Sequence, residues 1–509
     1  MMATAGAGAE APRGTARPPR VELARGLDIP RIVTGLWQVA DQERGGTLLD
    51  PVRAAADMAA YAAAGFDAFD MADHYGSAEV ITGHLLASPA GRGASPPIRA
   101  FTKWCPPPGP MTREVVRAGV QRSLERLRVP RIDLLQFHWW TFEHPGWLDA
   151  MEELTRLAGE GLVAHIGLTN FDTAHLRVLL AEGVPVASNQ VCCSLLDRRA
   201  SEMRPGAMSE LCLARGVKLL CYGTLGGGFL SDRWLGASEP AEIGDWSKMK
   251  YRRFIDAVGG WAAMQGVLRA ARRIGDKHGG ASIANVATRW VLEQPAVAAV
   301  IVGARLTERE HRADNLKVFD FALDNEDRGW LAEAFAHTRR IPGDCGDEYR
   351  RPPFLTASGD LSHHLEALPK VYAREPVAGR EDGRERVGSG SVWEGLAGYS
   401  RAVRSGNRIL VSGTTATHGA GRLVGRGDVA AQTTWILDKI AAAISSLGGR
   451  LDDVVRTRIY LADVADWEAV AREHGRVFGD VRPANTLVQV GALVGEGYLV
   501  EIEAEAEVG

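Results

Sequence analysis

Short apolar runs recur eight times between Arg31 and Ala304, most of them separated by stretches with apolar residues at helical spacing. The runs are RIVTGLW, FDAFDMAD, RAFTKW, DLLQFH, HIGLTNF, ASNQVCC, KLLCYGT and AVIVGA. Each is short and continuous enough for a strand buried on both faces, and Pro51 to Ala64, Arg113 to Arg126 and Trp147 to Gly159 are among the helices between them. Strand-helix alternation predicts a parallel sheet, and eight units over roughly 280 residues is the size of a (β/α)₈ TIM barrel. An open doubly wound sheet binding a dinucleotide would carry GxGxxG after its first strand, and no such turn follows RIVTGLW. The connection after the seventh run, Gly223 to about Gly260, is much longer than the others and holds Trp234, Trp246 and GTLGGGF, which predicts a cover over a bound cofactor.

Past Thr338 the periodicity stops, and RRIPGDCGDEYRRPPFLTASGD and REPVAGREDGRERVGSGS have the Pro, Gly and charge content of a linker. From about Val392 a second pattern begins: YSRAVRSG, RILVSGTT, a helix from Asp428 to Leu447, VVRTRIYLAD, a helix from Trp467 to Phe478, NTLVQVGAL and YLVEIEAEAEV. The order ββαβαββ predicts a small α+β sheet with helices on one face. The expected division is a disordered tail over 1–20, a barrel over 21–338, a linker over 339–390 and the small domain over 391–509.

Composition narrows the functional classes. With 46% hydrophobic and 24% charged residues the chain can bury substantial cores, and 509 residues exceed what one core serves. A net charge of -4 without a long run of one sign leaves no footprint for nucleic acid or an anionic membrane. Six cysteines with no CxxC pair fit a reducing cytoplasm. No apolar stretch has the length of a membrane span, and the first twenty residues lack the apolar middle of a secretory signal; their Ala/Arg content leaves an organelle transit peptide as the alternative.

Four chemically useful residues fall at predicted strand ends, where this fold builds its active sites. Asp70 and Tyr75 stand in FDMADHYG, Lys103 in FTKW and His138 in LLQFHWW. Carbonyl reduction needs a proton donor beside the oxygen and a hydride source facing the carbon. Tyrosine is a poor acid at neutral pH, but a neighbouring ammonium favours its phenolate, and Lys103 is the natural neighbour. Asp70 then keeps the lysine charged and placed, while His138 orients the substrate oxygen. Singly, each has a structural reading as an ion pair or core packing, but packing does not require four such groups on consecutive strand ends. Trp37, Trp104 and Trp139 flank these positions and suggest an aromatic pocket for a substrate with an apolar or planar part. Cys105 lies close to Lys103 but has no evident base to activate it.

Asp, Tyr, Lys and His in this order resemble the catalytic tetrad of the aldo-keto reductases, over about Val21 to Ala336. The resemblance implies NAD(P)H-dependent interconversion of an aldehyde or ketone with an alcohol or hemiacetal. It also implies a cofactor site: Thr169, Asn170 and Gln190 on the nicotinamide carboxamide, Tyr222 against the ring, Leu225 and Gly226 facing the phosphates, and Arg305, Glu310 and Asn315 at the adenosine. Many NADPH-specific relatives carry a lysine directly after strand eight where Gly303 stands. Arg305, with Arg309 and Arg312 in reserve, offers guanidinium donors for a 2′-phosphate, which favours NADP(H) over NAD(H).

From about Trp393 the chain resembles the RidA/YjgF family, small proteins of chorismate-mutase-like fold that form trimers with ligand clefts between subunits; some hydrolyse reactive imines and enamines. GYSRAV with Tyr399, LVSGTTA with Ser412 and Gly413, RPANT, and LVEIEAEAEV with Glu501 carry the resemblance. Active imine deaminases of the family have an arginine directly after the Pro-Ala pair, where Asn485 stands here. An amide cannot offer a charged fork to a carboxylate, so the resemblance implies a trimerising, ligand-binding module more readily than a deaminase. The whole reads as a two-domain fusion acting on a small molecule, a homotrimer through its C-terminal part. The alternatives are a cofactor-binding sensor or assembly subunit, and a C-terminal imine hydrolase fed by the barrel.

Overall fold

The computed structural model describes residues 17–39, 48–244, 246–306, 310–351, 368–379 and 383–509. An antiparallel hairpin, β1 (Arg20–Ala24) and β2 (Leu27–Pro30), leads into the barrel. The eight apolar runs form β3 (Ile32–Gly35), β4 (Ala68–Asp70), β5 (Arg99–Trp104), β6 (Ile132–Phe137), β7 (Val163–Thr169), β8 (Val186–Cys192), β9 (Lys218–Tyr222) and β10 (Val297–Gly303). All pair in parallel, and β10 closes on β3. Helices whose apolar faces pack outside the strands complete a (β/α)₈ barrel.

Alternation along the strands sorts the barrel interior into layers. Ala68, Phe101, Leu134, Leu220 and Ala299 fill its lower part, and Leu23, Leu27 and Ile29 of the hairpin join the same cluster. Two residues further along the same strands come Asp70, Lys103 and Gln136, and His138 follows two beyond Gln136. The polar layer thus sits on an apolar plug, at the C-terminal mouth of the barrel.

The C-terminal domain is a seven-stranded sheet of β11 (Arg374–Pro376), β12 (Glu385–Val387), β13 (Ala402–Ser405), β14 (Arg408–Thr414), β17 (Val454–Leu461), β18 (Ala484–Gln489) and β19 (Val500–Glu507), in the order β11-β12-β13-β14-β19-β17-β18. A small ribbon of β15 (Thr417–His418) and β16 (Arg422–Leu423) follows β14. The predicted ββαβαββ order is present, with two strands, β11 and β12, added at one side of the sheet from within the expected linker. Residues 352–367 of that linker lie outside the described residues, whereas 339–351 fold onto the barrel.

The helix Val429–Ser446 is buried on nearly every side because its own sheet covers one face and the barrel helix Thr173–Ala181 the other. Trp435 meets Trp147 edge-on at 5.6 Å, His418 pairs with Asp149 at 2.7 Å, and Arg422 with Glu182 at 2.9 Å. Between the domains His175 is held by two carboxylates, Nδ1 to Asp172 at 2.6 Å and Nε2 to Asp438 at 2.8 Å, with its ring stacked on Phe142 at 3.4 Å. Burial pushes an imidazole toward its neutral form, but the two carboxylates outweigh it and hold His175 above the usual histidine range. A proton held more tightly in the docked state stabilises docking fully below the ordinary histidine pKa, and that stabilisation is lost as pH rises through the raised value. Hydrogen exchange in Val429–Ser446 is expected to accelerate from neutral to alkaline pH beyond the intrinsic rate, and His175→Gln to lose that step. Matching profiles for the two proteins would refute the linkage.

Candidate active site

Lys103 Nζ donates to Asp70 Oδ2 at 2.5 Å and to the Met71 carbonyl at 3.0 Å, and lies 5.1 Å from the centroid of the Tyr75 ring. Asp70 Oδ1 accepts from the amides of Gln136 and Gln190, each at 2.8 Å. The carboxylate is therefore fully occupied in placing Lys103 against Tyr75. The Tyr75 ring is held edge-on by Trp37 at 4.9 Å and His74 at 4.8 Å. His138 Nδ1 lies 3.3 Å from the Thr169 carbonyl, which can only accept, so Nδ1 carries a proton in that contact. Asp70, Tyr75, Lys103, His138 and Gln190 line one cavity of about 800 Å³, a size that suits a small-molecule site.

Of the three predicted tryptophan walls, Trp37 lines the cavity and Trp104 and Trp139 do not. Lys103 and His138 point into the barrel, so the residues that follow them point outward: Trp104 packs on Gly119, and Trp139 stacks on Phe137 at 5.7 Å. Trp140 supplies the aromatic wall instead, edge-on to His138 at 4.3 Å. Cys105 does have a base nearby, since His74 and Asp73 lie beside it at the cavity edge, but burial pushes its thiol up.

The segment expected to be a linker adds to this site. Glu348 is buried and paired with Arg199, which also binds Asp197. Burial pushes the Glu348 carboxyl up, but Arg199 and Lys250 outweigh it and hold it below the usual carboxylate range. Anchored there, the segment turns Tyr349 into the cavity, 5.6 Å from the His138 ring and against the Lys250 ammonium. Gln136, Lys250, Glu348 and Tyr349 escape sequence reasoning; only Gln136 leaves a trace, being two before His138 and so on the same strand face.

The donor set fits a nicotinamide dinucleotide. Asn170, at a left-handed φ of 58°, directs Oδ1 to the Tyr222 hydroxyl at 2.7 Å, and burial pushes the Tyr222 phenol up. Thr169, Asn170, Gln190, Tyr222 and Leu225 all line the cavity. Gly226 is buried and Gly227 carries the floor: a side chain there would meet the Tyr251 ring at 2.7 Å. Arg233, Lys248 and Arg305 bring positive charge to the same cavity wall, which Asn315 also lines. Glu310 instead caps Arg312, whose guanidinium turns to the Ala60 carbonyl and lies 5.2 Å from the centroid of the Tyr61 ring, which removes both from the cavity wall. Arg309 lies outside the described residues. A Cβ at Gly303 would fall 2.0 Å from Gln38 Oε1, so the Gln38 side chain occupies the space beside the end of β10.

In the C-terminal domain Tyr399, Ser412, Gly413 and Glu501 gather around Arg401. Its guanidinium donates to the Gly413 carbonyl at 2.6 Å and lies 5.7 Å from the Tyr399 ring centroid, while Glu501 lies across Gly413. Burial pushes the Glu501 carboxyl and the Tyr399 phenol up. Ser412 Oγ donates to the Ser400 carbonyl. Burial and Arg401 push the Lys439 ammonium down to about 7. Asn485 is separate: it pairs in register with Thr457, whose hydroxyl takes its amide at 2.9 Å under the helix Trp467–Phe478, while Glu501 alternates to the open face.

A family model described as Aldo/keto reductase family matches residues 31–334, and one described as Endoribonuclease L-PSP matches residues 392–508. The 3-aminoacrylate deaminase RutC of Acinetobacter baylyi is 39% identical over 113 residues, covering 22% of this chain and 89% of that protein. An aldo-keto reductase of a Mycobacterium species is 32% identical over 174 residues, covering 34% of this chain and 58% of its own length. Among solved structures, a Mycobacterium tuberculosis member of the YjgF/YER057c/UK114 family is 46% identical, covering 25% of this chain and 99% of that one, with a TM-score of 0.23.

Proposed function

Because this chain belongs to the aldo/keto reductase family through residues 31–334, and carries an endoribonuclease L-PSP domain over 392–508, we propose that it reduces an aldehyde or ketone with NADPH in the barrel. It is an NAD(P)-dependent oxidoreductase; the residue roles and the preference for NADPH are our reading. The observation that carries the roles is the contact chain Asp70, Lys103, Tyr75 at the cavity floor, with His138 on the adjoining strand.

The reduced nicotinamide supplies the hydride. Tyr75 gives its hydroxyl proton to the carbonyl oxygen, and the Lys103 ammonium beside its ring stabilises the phenolate left behind. Asp70 is a positioning residue for Lys103. His138 Nε2 hydrogen-bonds the same oxygen, as a donor when the ring carries both protons. Trp37, Trp140 and Tyr349 exclude water and select for a planar or apolar substituent. The phenolate accepts the proton in the reverse oxidation.

Titration with NADPH and NADH, followed by cofactor fluorescence and a panel of aldehydes, ketones and sugars, tests this reading. Loss of a charge-assisted bidentate contact costs about 1.5–3 kcal/mol, so Arg305→Gln is expected to weaken NADPH roughly ten-fold or more and to leave NADH nearly unchanged. Binding without turnover favours a cofactor sensor, and binding of neither nucleotide defeats the assignment.

For the C-terminal domain the same reading gives a trimerising, ligand-binding module. The helices Val429–Ser446 and Trp467–Phe478 cover one sheet face, and the other exposes Leu410 and Val488 beside the Arg458 and Glu503 pair. Light scattering of the full chain should give three times its 54.8 kDa mass, and a monomer would rule the trimer out.

A further inference from the structure

Between the two domains lies a cavity of about 670 Å³ whose walls come from both. The barrel side contributes Arg177, Arg199, Arg204, Arg340 and Arg351, and the C-terminal domain contributes Arg472 and Arg476. Seven guanidinium groups and five carboxylates, Asp172, Glu210, Asp344, Asp347 and Glu473, line it, and three of the arginines have carboxylate partners of their own outside the wall: Arg177 with Asp428 at 3.5 Å, Arg199 with Asp197 and Glu348, and Arg472 with Glu468 at 3.2 Å. Arg204 and Arg340 share one partner, Glu202, outside the wall. Arg351 is 3.8 Å from Asp347, beyond hydrogen-bond reach. Arg476 donates through Nε to Glu473 at 2.8 Å, while its Nη2 is buried and has no hydrogen-bond partner. Asp172 is committed to His175, and Asp344 accepts the Thr173 amide at 2.8 Å. Burial and the neighbouring Asp172 push the Asp344 carboxyl up.

A buried guanidinium donor without an acceptor costs free energy, and a set of forks converging from two domains matches the oxygens of phosphates or clustered carboxylates. We propose that this interdomain cavity binds a small anion carrying at least two negative charges, either a phosphate ester or diphosphate, or a polycarboxylate. Such a ligand contacts Arg340 and Arg351 on one side and Arg472 and Arg476 on the other. It binds only the docked arrangement, and so stabilises docking by mass action. The floor reaches the cofactor site: Arg199 pairs with Glu348, and Glu348 accepts from the Tyr222 hydroxyl at 3.2 Å. The site is independent of whether the barrel turns over a carbonyl.

Calorimetric titration of the full chain with inorganic pyrophosphate and, separately, citrate tests the proposal. Because the barrel has its own phosphate-facing residues, each titration is repeated in Arg305→Gln. One binding event per chain is expected to persist in that variant. It should weaken ten-fold or more in Arg340→Gln/Arg472→Gln, whose side chains are 54% and 62% exposed and hold none of the buried interface contacts. Hydrogen exchange in Val429–Ser446 should slow when the anion is bound. Pyrophosphate alone identifies a phosphate ligand, citrate alone a polycarboxylate. Binding abolished by Arg305→Gln and unchanged in the double variant overturns the proposal, as does the failure of both anions to bind at millimolar concentration.

Discussion

Tyr75→Phe is expected to lower kcat by about 10²–10⁴-fold, the span of a positioned general acid. The substitution removes one oxygen and keeps the ring that Trp37 and His74 hold edge-on, so the cavity keeps its shape. The phenolic oxygen matters only as charge develops on the substrate oxygen, so its loss appears in kcat rather than in ground-state binding. NADPH affinity by fluorescence should stay within about two-fold of the parent on the same argument. Single-turnover measurement separates the chemical step from product release. A variant that turns over at a parental rate would show that another group delivers the proton, and the contact chain through Lys103 and Asp70 would then be structural.

Arg199→Met should destabilise the barrel by about 3–5 kcal/mol, the usual result of removing one partner from a buried ion pair. Arg199 binds Asp197 at 2.7 Å and Glu348 at 2.9 Å, and all three side chains are almost completely buried. Methionine fills much of the volume but leaves two carboxylates without their cation. Relief comes by expelling Glu348, and Tyr349 leaves the cavity with it. Urea unfolding followed by tryptophan fluorescence reads the first effect, and a raised KM for the carbonyl substrate reads the second. A change of less than about 1 kcal/mol would mean that water or a shifted side chain compensates the pair, contrary to the burial seen here.

The barrel was legible because parallel strands buried on both faces read as continuous apolar runs, and all eight runs became its strands. The four candidate residues could be picked out because strand ends are where this fold keeps its chemistry, and Asp70, Tyr75, Lys103 and His138 all line one cavity. The tryptophans were misplaced for a reason equally simple: neighbouring residues on a strand face opposite ways, so Lys103 and His138 inside require Trp104 and Trp139 outside. Parity would have excluded them. Glu348 and Tyr349 were hidden because their segment has the composition of a linker and because Glu348 finds Arg199 149 positions away. The helix Val429–Ser446 carried a subtler sign, since AQTTWILDKIAAAIS is apolar or small nearly all round. A helix covering one sheet face has a polar side, and this one lacks it because it has a second neighbour.

The match to the aldo/keto reductase family ends at residue 334, yet Tyr349 lines the barrel cavity from beyond it. The family match and the lining of the cavity therefore have different lengths in this chain. A recombination event that copied the barrel up to that border would transmit Asp70, Tyr75, Lys103 and His138 together. On the proposed function it would leave behind Tyr349, one wall of the cavity, so a barrel copied in this way is expected to keep its reaction while the compounds it accepts change with whatever sequence is joined on next.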